Sequence, residues 1–262
     1  MATAAAVKQN GRPRAATSRR AKAPKLLVEQ GCFEAGDRLV CGIDEVGRGA
    51  WAGPVTVGAV VIGPAPKRIL RVRDSKELTH DQREKLYPKI VGWALAWAVG
   101  HAGPAECDEL GMTAALRLAG ERALAGLAQG GCVPDRIILD GNHDYFGRPG
   151  QVRTVIDGDA LCLSVAAASI VAKVTRDRLM AAEAECYPGY DFESNRGYRS
   201  YRHRCALLGY GPTAIHRRSW IYMENLPWAE RRSHAGPEGV ISGAGRGVAE
   251  VREAAPELTL FP

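Results

Sequence analysis

No two of the seven cysteines, Cys32, Cys41, Cys107, Cys132, Cys162, Cys186 and Cys205, stand in a C-x-x-C arrangement. Scattered and odd in number, they argue against a disulfide framework or a zinc site and for a reduced, cytoplasmic compartment. No apolar run is long enough to cross a bilayer, because Gly63-Pro64 and the stretch from Gly100 to Pro104 break the two best candidates. A soluble chain with no membrane partner is expected. There is no internal repeat and no apolar signal-peptide core. Acids are missing from residues 1–25, which hold Lys8, Arg12, Arg14, Arg19, Arg20, Lys22 and Lys25. Gly11 and Pro13 break any amphipathic helix there, so residues 1–26 read as a disordered basic arm, either a transit peptide or a nucleic-acid-binding tail. Removing those seven charges from the formal +6 leaves about −1 for the rest, so net charge does not identify a partner.

What is present is an apolar fraction of 46% in 262 residues, enough for one sizeable core. Residues 39–46 and 55–62 read as a hairpin of Val- and Ile-rich strands. "LTHDQREKLYPKI" reads as a helix, with Thr79 and Gln82 forming a capping box and Pro88 bending or ending it. Residues 94–99 suggest a third strand and 108–129 a helix. "DRIILDGN" (135–142) is a short strand closed by a turn, and "VRTVIDGD" (152–159) repeats that plan. Ser164 is placed to cap the long helix that follows, and the segment from Pro188 to Trp220 is helical and loop-like. Residues 229–256 are Gly-, Arg- and Glu-rich without periodicity, so 229–262 read as a flexible tail. Strands alternating with helices give one α/β domain with a mixed sheet, over residues 27–228.

Three strand ends carry acids: Asp44-Glu45, Asp140, and Asp157 or Asp159. Neighbouring strands of an α/β sheet bring such ends together. Clustered carboxylates repel unless cations lie between them, and hard oxygen ligands without a His or Cys cluster point to Mg²⁺ or Mn²⁺. Two such ions suit in-line attack on a phosphodiester. Adjacent strand residues point to opposite faces, so Asp44 and Glu45 share an ion only if the chain leaves strand geometry at Glu45, which Val46-Gly47 makes feasible. Gly47-x-Gly49-x-x-Ala52 also fits a dinucleotide-binding pattern, but two carboxylates before the loop would repel a pyrophosphate, and a β-branched run follows where a helix is needed. The same glycines let the backbone approach a sugar 2′-OH while Arg48 faces a phosphate.

"GIDEVGRGAWAGPV" resembles the opening motif of the type 2 ribonucleases H, ribonuclease HII. The likeness continues through "DSKELT" (74–79), "LDGN" (139–142), "DGDALCLSVAAASIVAKVTRD" (157–177), "RGYRSYRH" (196–203) and "IHRRSW" (215–220). The resemblance implies a ribonuclease H-like mixed sheet flanked by helices with a C-terminal helical segment. It implies that Asp44, Glu45, Asp140 and Asp159 are catalytic and bind two Mg²⁺ or Mn²⁺ ions. Asp157 stands where the family usually has Lys. Gly47, Arg48 and Gly49 would sense the 2′-OH, with Tyr198 packing on the adjacent deoxyribose and Tyr201 as a fallback. Lys76, Asn142, Ser169 and Lys173 are implied phosphate contacts or supports of the acids, whereas His143 and His216 are read as structural. The implied reaction cuts the RNA strand of RNA-DNA hybrids and nicks duplex DNA 5′ to an embedded ribonucleotide, leaving 3′-OH and 5′-phosphate ends, for ribonucleotide removal and repair. A monomer is expected. Leu258, Leu260 and Phe261 in the closing "ELTLFP" resemble a sliding-clamp-binding peptide. Two other classes are a ribonuclease H-like nuclease acting on DNA junctions and a non-catalytic nucleic-acid-binding module.

Overall fold

The computed structural model describes residues 23–67, 69–224 and 226, so most of the basic arm, the tail from 229 and Leu258, Leu260 and Phe261 lie outside the described residues. Helix α1 (Leu27–Glu34) precedes a hairpin of β1 (Val40–Val46) and β2 (Val55–Ile62), whose register runs from Val40↔Ile62 to Val46↔Thr56. A 3-10 turn (Ser75–Glu77) leads to α2 (His80–Trp93), β3 (Ala96–Ala102), α3 (Pro104–Leu110) and α4 (Met112–Gln129). Then come β4 (Arg136–Asp140), β5 (Val152–Val155), α5 (Gly158–Leu161), α6 (Leu163–Cys186), α7 (Phe192–Asn195), α8 (Tyr201–Tyr210) and α9 (Ile221–Glu224). The sheet order is β3-β2-β1-β4-β5, antiparallel among the first three strands and parallel from β1 to β5.

The strand alternation sorts side chains between two helical layers. Cys41, Ile43, Val57, Ala59 and Val61 face α4, packing with Leu116, Ala119, Ala123 and Leu127. Val60 packs with Ile170 and Val171 of α6, and Val40 and Ile62 with Val165. Helix α6 lies almost on the sheet backbone: a Cβ at Gly42 would collide with the Ser164 backbone, and one at Gly58 would lie 2.5 Å from the Ala168 carbonyl oxygen. The alanines of α6 are what that close approach requires.

Several local expectations change. The capping box is there, with Thr79 Oγ1 accepting from Gln82 N–H and Gln82 Oε1 from Thr79 N–H. Pro88, however, sits inside α2, exposed, where water can take the carbonyl it leaves unpaired. The third strand is 96–102, because Ala94 caps α2 first. The 108–129 helix is divided at Gly111, whose φ of 76° ends α3 and starts α4. Ser164 lies within α6 and does not cap it. Its N–H and Oγ donate to Oε1 of buried Glu29 at 2.9 and 2.8 Å, so the cap comes from α1. Lys25 belongs to the fold: its N–H donates to Leu161 O and its carbonyl accepts from Leu163 N–H, which moves the arm boundary back from 26.

Candidate active site

The parallel register Ile43↔Leu139 sets Asp44 beside Asp140 at the ends of β1 and β4, on the α6 face of the sheet. Asp140 Oδ1 accepts from Gly158 N–H at 2.7 Å, which pulls the start of α5 against β4. Asp159, in the first turn of α5, then joins the edge and is buried at 7% exposure, as Asp44 is at 5%. Its position is not a strand end, because β5 stops at Val155. Asp157 is in left-handed backbone (φ 54°) and exposed, so Asp159 is the member of the pair that faces the other acids, and Asp157 adds charge at the rim.

Glu45 also departs from expectation. β1 stays paired through Glu45↔Val57 and Val46↔Thr56, so the strand does not break there. Glu45 therefore leaves the sheet on the α4 face, opposite to Asp44 and Asp140, although its charge still acts on Asp44 and is acted on by Asp140. It lies 3.7 Å from Arg48. Lys76 Nζ, carried by the 3-10 turn, lies 3.4 Å from Asp159 and 3.9 Å from Asp74.

Burial raises the pKa of all four acids, most for Asp44, whose carboxyl also feels Glu45, Asp140 and Asp159. Asp140 is raised further by Asp159, and Asp159 by Asp74. Among the described residues no three His, Cys, Asp or Glu side chains converge at ligating distance. The donor chemistry nevertheless fits a hard divalent ion: carboxylate oxygens only, mutually repelling, with two of the acids turned toward lysine or arginine.

The Gly-Arg-Gly loop is held from beneath by two arginines with no exposed surface. Arg217 donates to the carbonyls of Gly47, Arg48 and Gly53. Arg176 donates to those of Ala52, Pro54 and Arg196. Carbonyls drawn inward leave Arg48 and Gly49 exposed. Gly47 has φ 88°, and its N–H donates to Tyr198 Oη at 2.9 Å. The Tyr198 ring has Arg176 and Lys173 at 5.3 and 5.7 Å from its centroid. Tyr201 is 83% exposed on α8, so Tyr198 is the tyrosine that meets the loop.

A histidine chain fixes the Tyr198 backbone. Thr213 N–H donates to His216 Nδ1, which puts the proton of that ring on Nε2, 2.9 Å from His203 Nε2. His203 Nδ1–H then donates to the Tyr198 carbonyl. Burial pushes both imidazoles down, His216 to about 3, so both stay neutral. His216 is thus structural, as expected, whereas His143 is exposed. Ser169 is buried and accepts from Ser75 N–H at 3.1 Å, anchoring the turn that carries Lys76. Lys173 pairs with Asp177 at 2.7 Å, and Asn142 is exposed beyond Asp140.

Arg176, Arg217, His203 and Asp74 were not anticipated. Arg176 was findable, since Ser169, Ala172, Arg176 and Met180 form one helical stripe, and an arginine in a buried stripe needs a reason. Arg217 falls in the motif "IHRRSW", but a basic run without periodicity does not show that this arginine is buried.

The ribonuclease HII family profile matches residues 41–223. A ribonuclease HII of Streptomyces griseus is 56% identical over 196 residues, covering 73% of this chain and 81% of that protein. The ribonuclease H2 structure from Pyrococcus horikoshii superposes with TM-score 0.60 at 30% identity, over 75% of this chain and 99% of that one. The ribonuclease HII of Archaeoglobus fulgidus, solved as a complex with PCNA, gives 0.57 at 25%, over 72% and 96%. With the match spanning the three strand-borne acids, α5, the glycine loop and the C-terminal helices, the chain belongs to the ribonuclease HII family and is an endoribonuclease of the ribonuclease H type.

Proposed function

We propose that this enzyme hydrolyses the RNA strand of RNA-DNA hybrids and nicks duplex DNA on the 5′ side of an embedded ribonucleotide, leaving 3′-OH and 5′-phosphate ends. The observation that carries this reading is the adjacency of two devices on one sheet edge, the four acids and the glycine loop locked to Tyr198. Asp44, Glu45, Asp140 and Asp159 would hold two Mg²⁺ or Mn²⁺ ions. Bound there, such ions lower the pKa of an attacking water and neutralise charge on the departing 3′ oxygen.

The chain's own groups supply position. The exposed backbone at Arg48 and Gly49, held in place by buried Gly47, offers hydrogen bonds to a 2′-OH, and Tyr198 offers a ring face to the neighbouring deoxyribose. Arg48 and Lys76, both exposed, reach phosphates; Asn142 stands near the same edge. Ser169 acts through the turn it anchors, and Lys173 through Asp177 and the Tyr198 ring. Leu258, Leu260 and Phe261 are our proposed contact with a sliding clamp, a reading supported by the PCNA complex of the Archaeoglobus relative. We read the enzyme as a cytoplasmic monomer; no helix among the described residues is long and apolar enough to cross a membrane.

The test is cleavage of a DNA duplex carrying one ribonucleotide, with Mg²⁺ or Mn²⁺, beside an all-DNA duplex and an Asp140→Asn variant. Metal-dependent nicking 5′ to the ribonucleotide, reduced at least ~10³-fold in the variant while the fold is kept, is the expected result. Cutting of the all-DNA duplex at a similar rate would move the protein to a general nuclease.

A further inference from the structure

Tyr145 lies in the loop that leaves β4. Asp144 accepts from the N–H groups of Phe146, Gly147 and Arg148 at 2.9, 3.0 and 3.0 Å, which fixes that loop. The Tyr145 and Phe146 rings lie with centroids 4.7 Å apart, over Gly120 of α4, where a Cβ would be 3.5 Å from the Tyr145 ring. The ring packs against the core on the α4 face. Its hydroxyl is buried and has no hydrogen-bond partner among the described residues. A phenol so placed costs stability that a phenylalanine would not. Folding therefore gives no reason for the oxygen.

The acid edge gives one. Ile43 points into the same face as Tyr145, and Glu45, two residues further along an unbroken strand, points the same way. Burial pushes the pKa of the phenol up, and the charges of Glu45, Asp44 and Asp140 push it further the same way. Glu45 meanwhile leans 3.7 Å from Arg48, whose side chain is 66% exposed, a weak and easily exchanged pair.

We propose that Tyr145 is a positioning residue for Glu45: once a substrate phosphate takes Arg48, the freed carboxylate accepts from the Tyr145 hydroxyl and is held ready for the divalent cation that the acids would bind. The orphaned hydroxyl is the seat that the carboxylate vacates while Arg48 holds it. The inference rests on the reading of Glu45 as a cation-binding acid.

The test is Tyr145→Phe in the full chain, with two readouts besides cleavage. Thermal unfolding without metal is expected to be unchanged or higher. Mn²⁺ affinity, read from the paramagnetic resonance of the free ion in the presence of an uncleaved all-DNA duplex, is expected to fall ~10-fold, as for other groups that orient a metal ligand. In a Glu45→Gln background the same substitution is expected to change Mn²⁺ affinity no further. Unchanged Mn²⁺ affinity, or an equal loss in the Glu45→Gln background, would overturn the proposal and leave Tyr145 a packing residue. If Glu45→Gln alone leaves Mn²⁺ affinity intact, the reading of Glu45 itself fails, which is a separate outcome.

Discussion

Around the 47–54 loop the backbone carbonyls are met by two buried guanidiniums, whereas at the neighbouring sheet edge four carboxylates press on one another. The loop side is complete in itself. Its arginines have carbonyl partners throughout, its tyrosine is tied at both hydroxyl and backbone, and its histidines are tied to each other. The acid side is incomplete, with raised pKa values and acids leaning on exposed cations. The contrast separates recognition, where a 2′-OH is read by a shape that must exist beforehand, from chemistry, where repulsion is relieved only by what binds.

The sharpest way to break the contrast is to unpin the loop. Arg217→Met removes the donors for the Gly47, Arg48 and Gly53 carbonyls in a site with no access to water. The Gly47 carbonyl keeps Ala50 N–H, so two acceptors lose their donor at about 1–3 kcal/mol each, and the total is expected to be about 2 kcal/mol or more, read by urea unfolding. The surviving folded fraction should lose preference for a ribonucleotide over DNA more than it loses metal affinity. A change confined to metal affinity would mean that the arginine serves the acids and not the loop.

The next contrast is in the sign of the pH response of the metal-free protein. The folded pKa values of Asp44, Glu45, Asp140 and Asp159 are raised above 3.8 and 4.5, so the folded state keeps protons that the unfolded state releases. Their contribution is full below the unfolded values and is lost as pH climbs through the raised ones. His203 and His216 are depressed below 6.5, so burial of the neutral rings stabilises above that value and the contribution is lost as pH falls toward about 3. Thermal unfolding against pH should therefore show a fall on each side from different residues. Asp140→Asn is expected to flatten only the upper fall and to raise neutral-pH stability by about 1 kcal/mol, an effect that saturating Mg²⁺ should abolish.

How much of this was legible depends on whether a residue acts through a pattern or through a contact. The hairpin, the capping box at Thr79 and the acids at strand ends are local patterns, and the sequence carried them. The choice of Asp159 over Asp157 needed the resemblance, since both stand at the same Asp-Gly-Asp turn; the fold distinguishes them because Gly158 N–H binds Asp140 and swings Asp159 inward. The break in the strand expected at Glu45 is absent because Val46 still pairs with Thr56, and the chain turns only at Gly47, whose φ is 88°. Arg217 and Glu29 act across separations of 170 and 135 residues, which no window along the chain contains, and His203 meets His216 across 13 residues of a segment without helical or strand periodicity.

The smallest effect on stability belongs to Lys76, and it is the one that tests whether the acid edge is held open. Its side chain is 79% exposed, so its contacts with Asp159 and Asp74 are worth less than about 1 kcal/mol, and Lys76→Ala should barely move thermal unfolding. Its consequences for ligands should have opposite signs. Without the ammonium the carboxylates repel more and lack a resident positive charge, so Mn²⁺ should bind the substrate-free variant more tightly. The substrate, having lost a phosphate contact, should show a higher KM with a shallower salt dependence. Two ligands moving in opposite directions on removal of one exposed lysine would mean that Lys76 alternates between acid and phosphate. A loss of both affinities would instead make Lys76 a structural part of the edge, and the acid side would then be as preassembled as the loop.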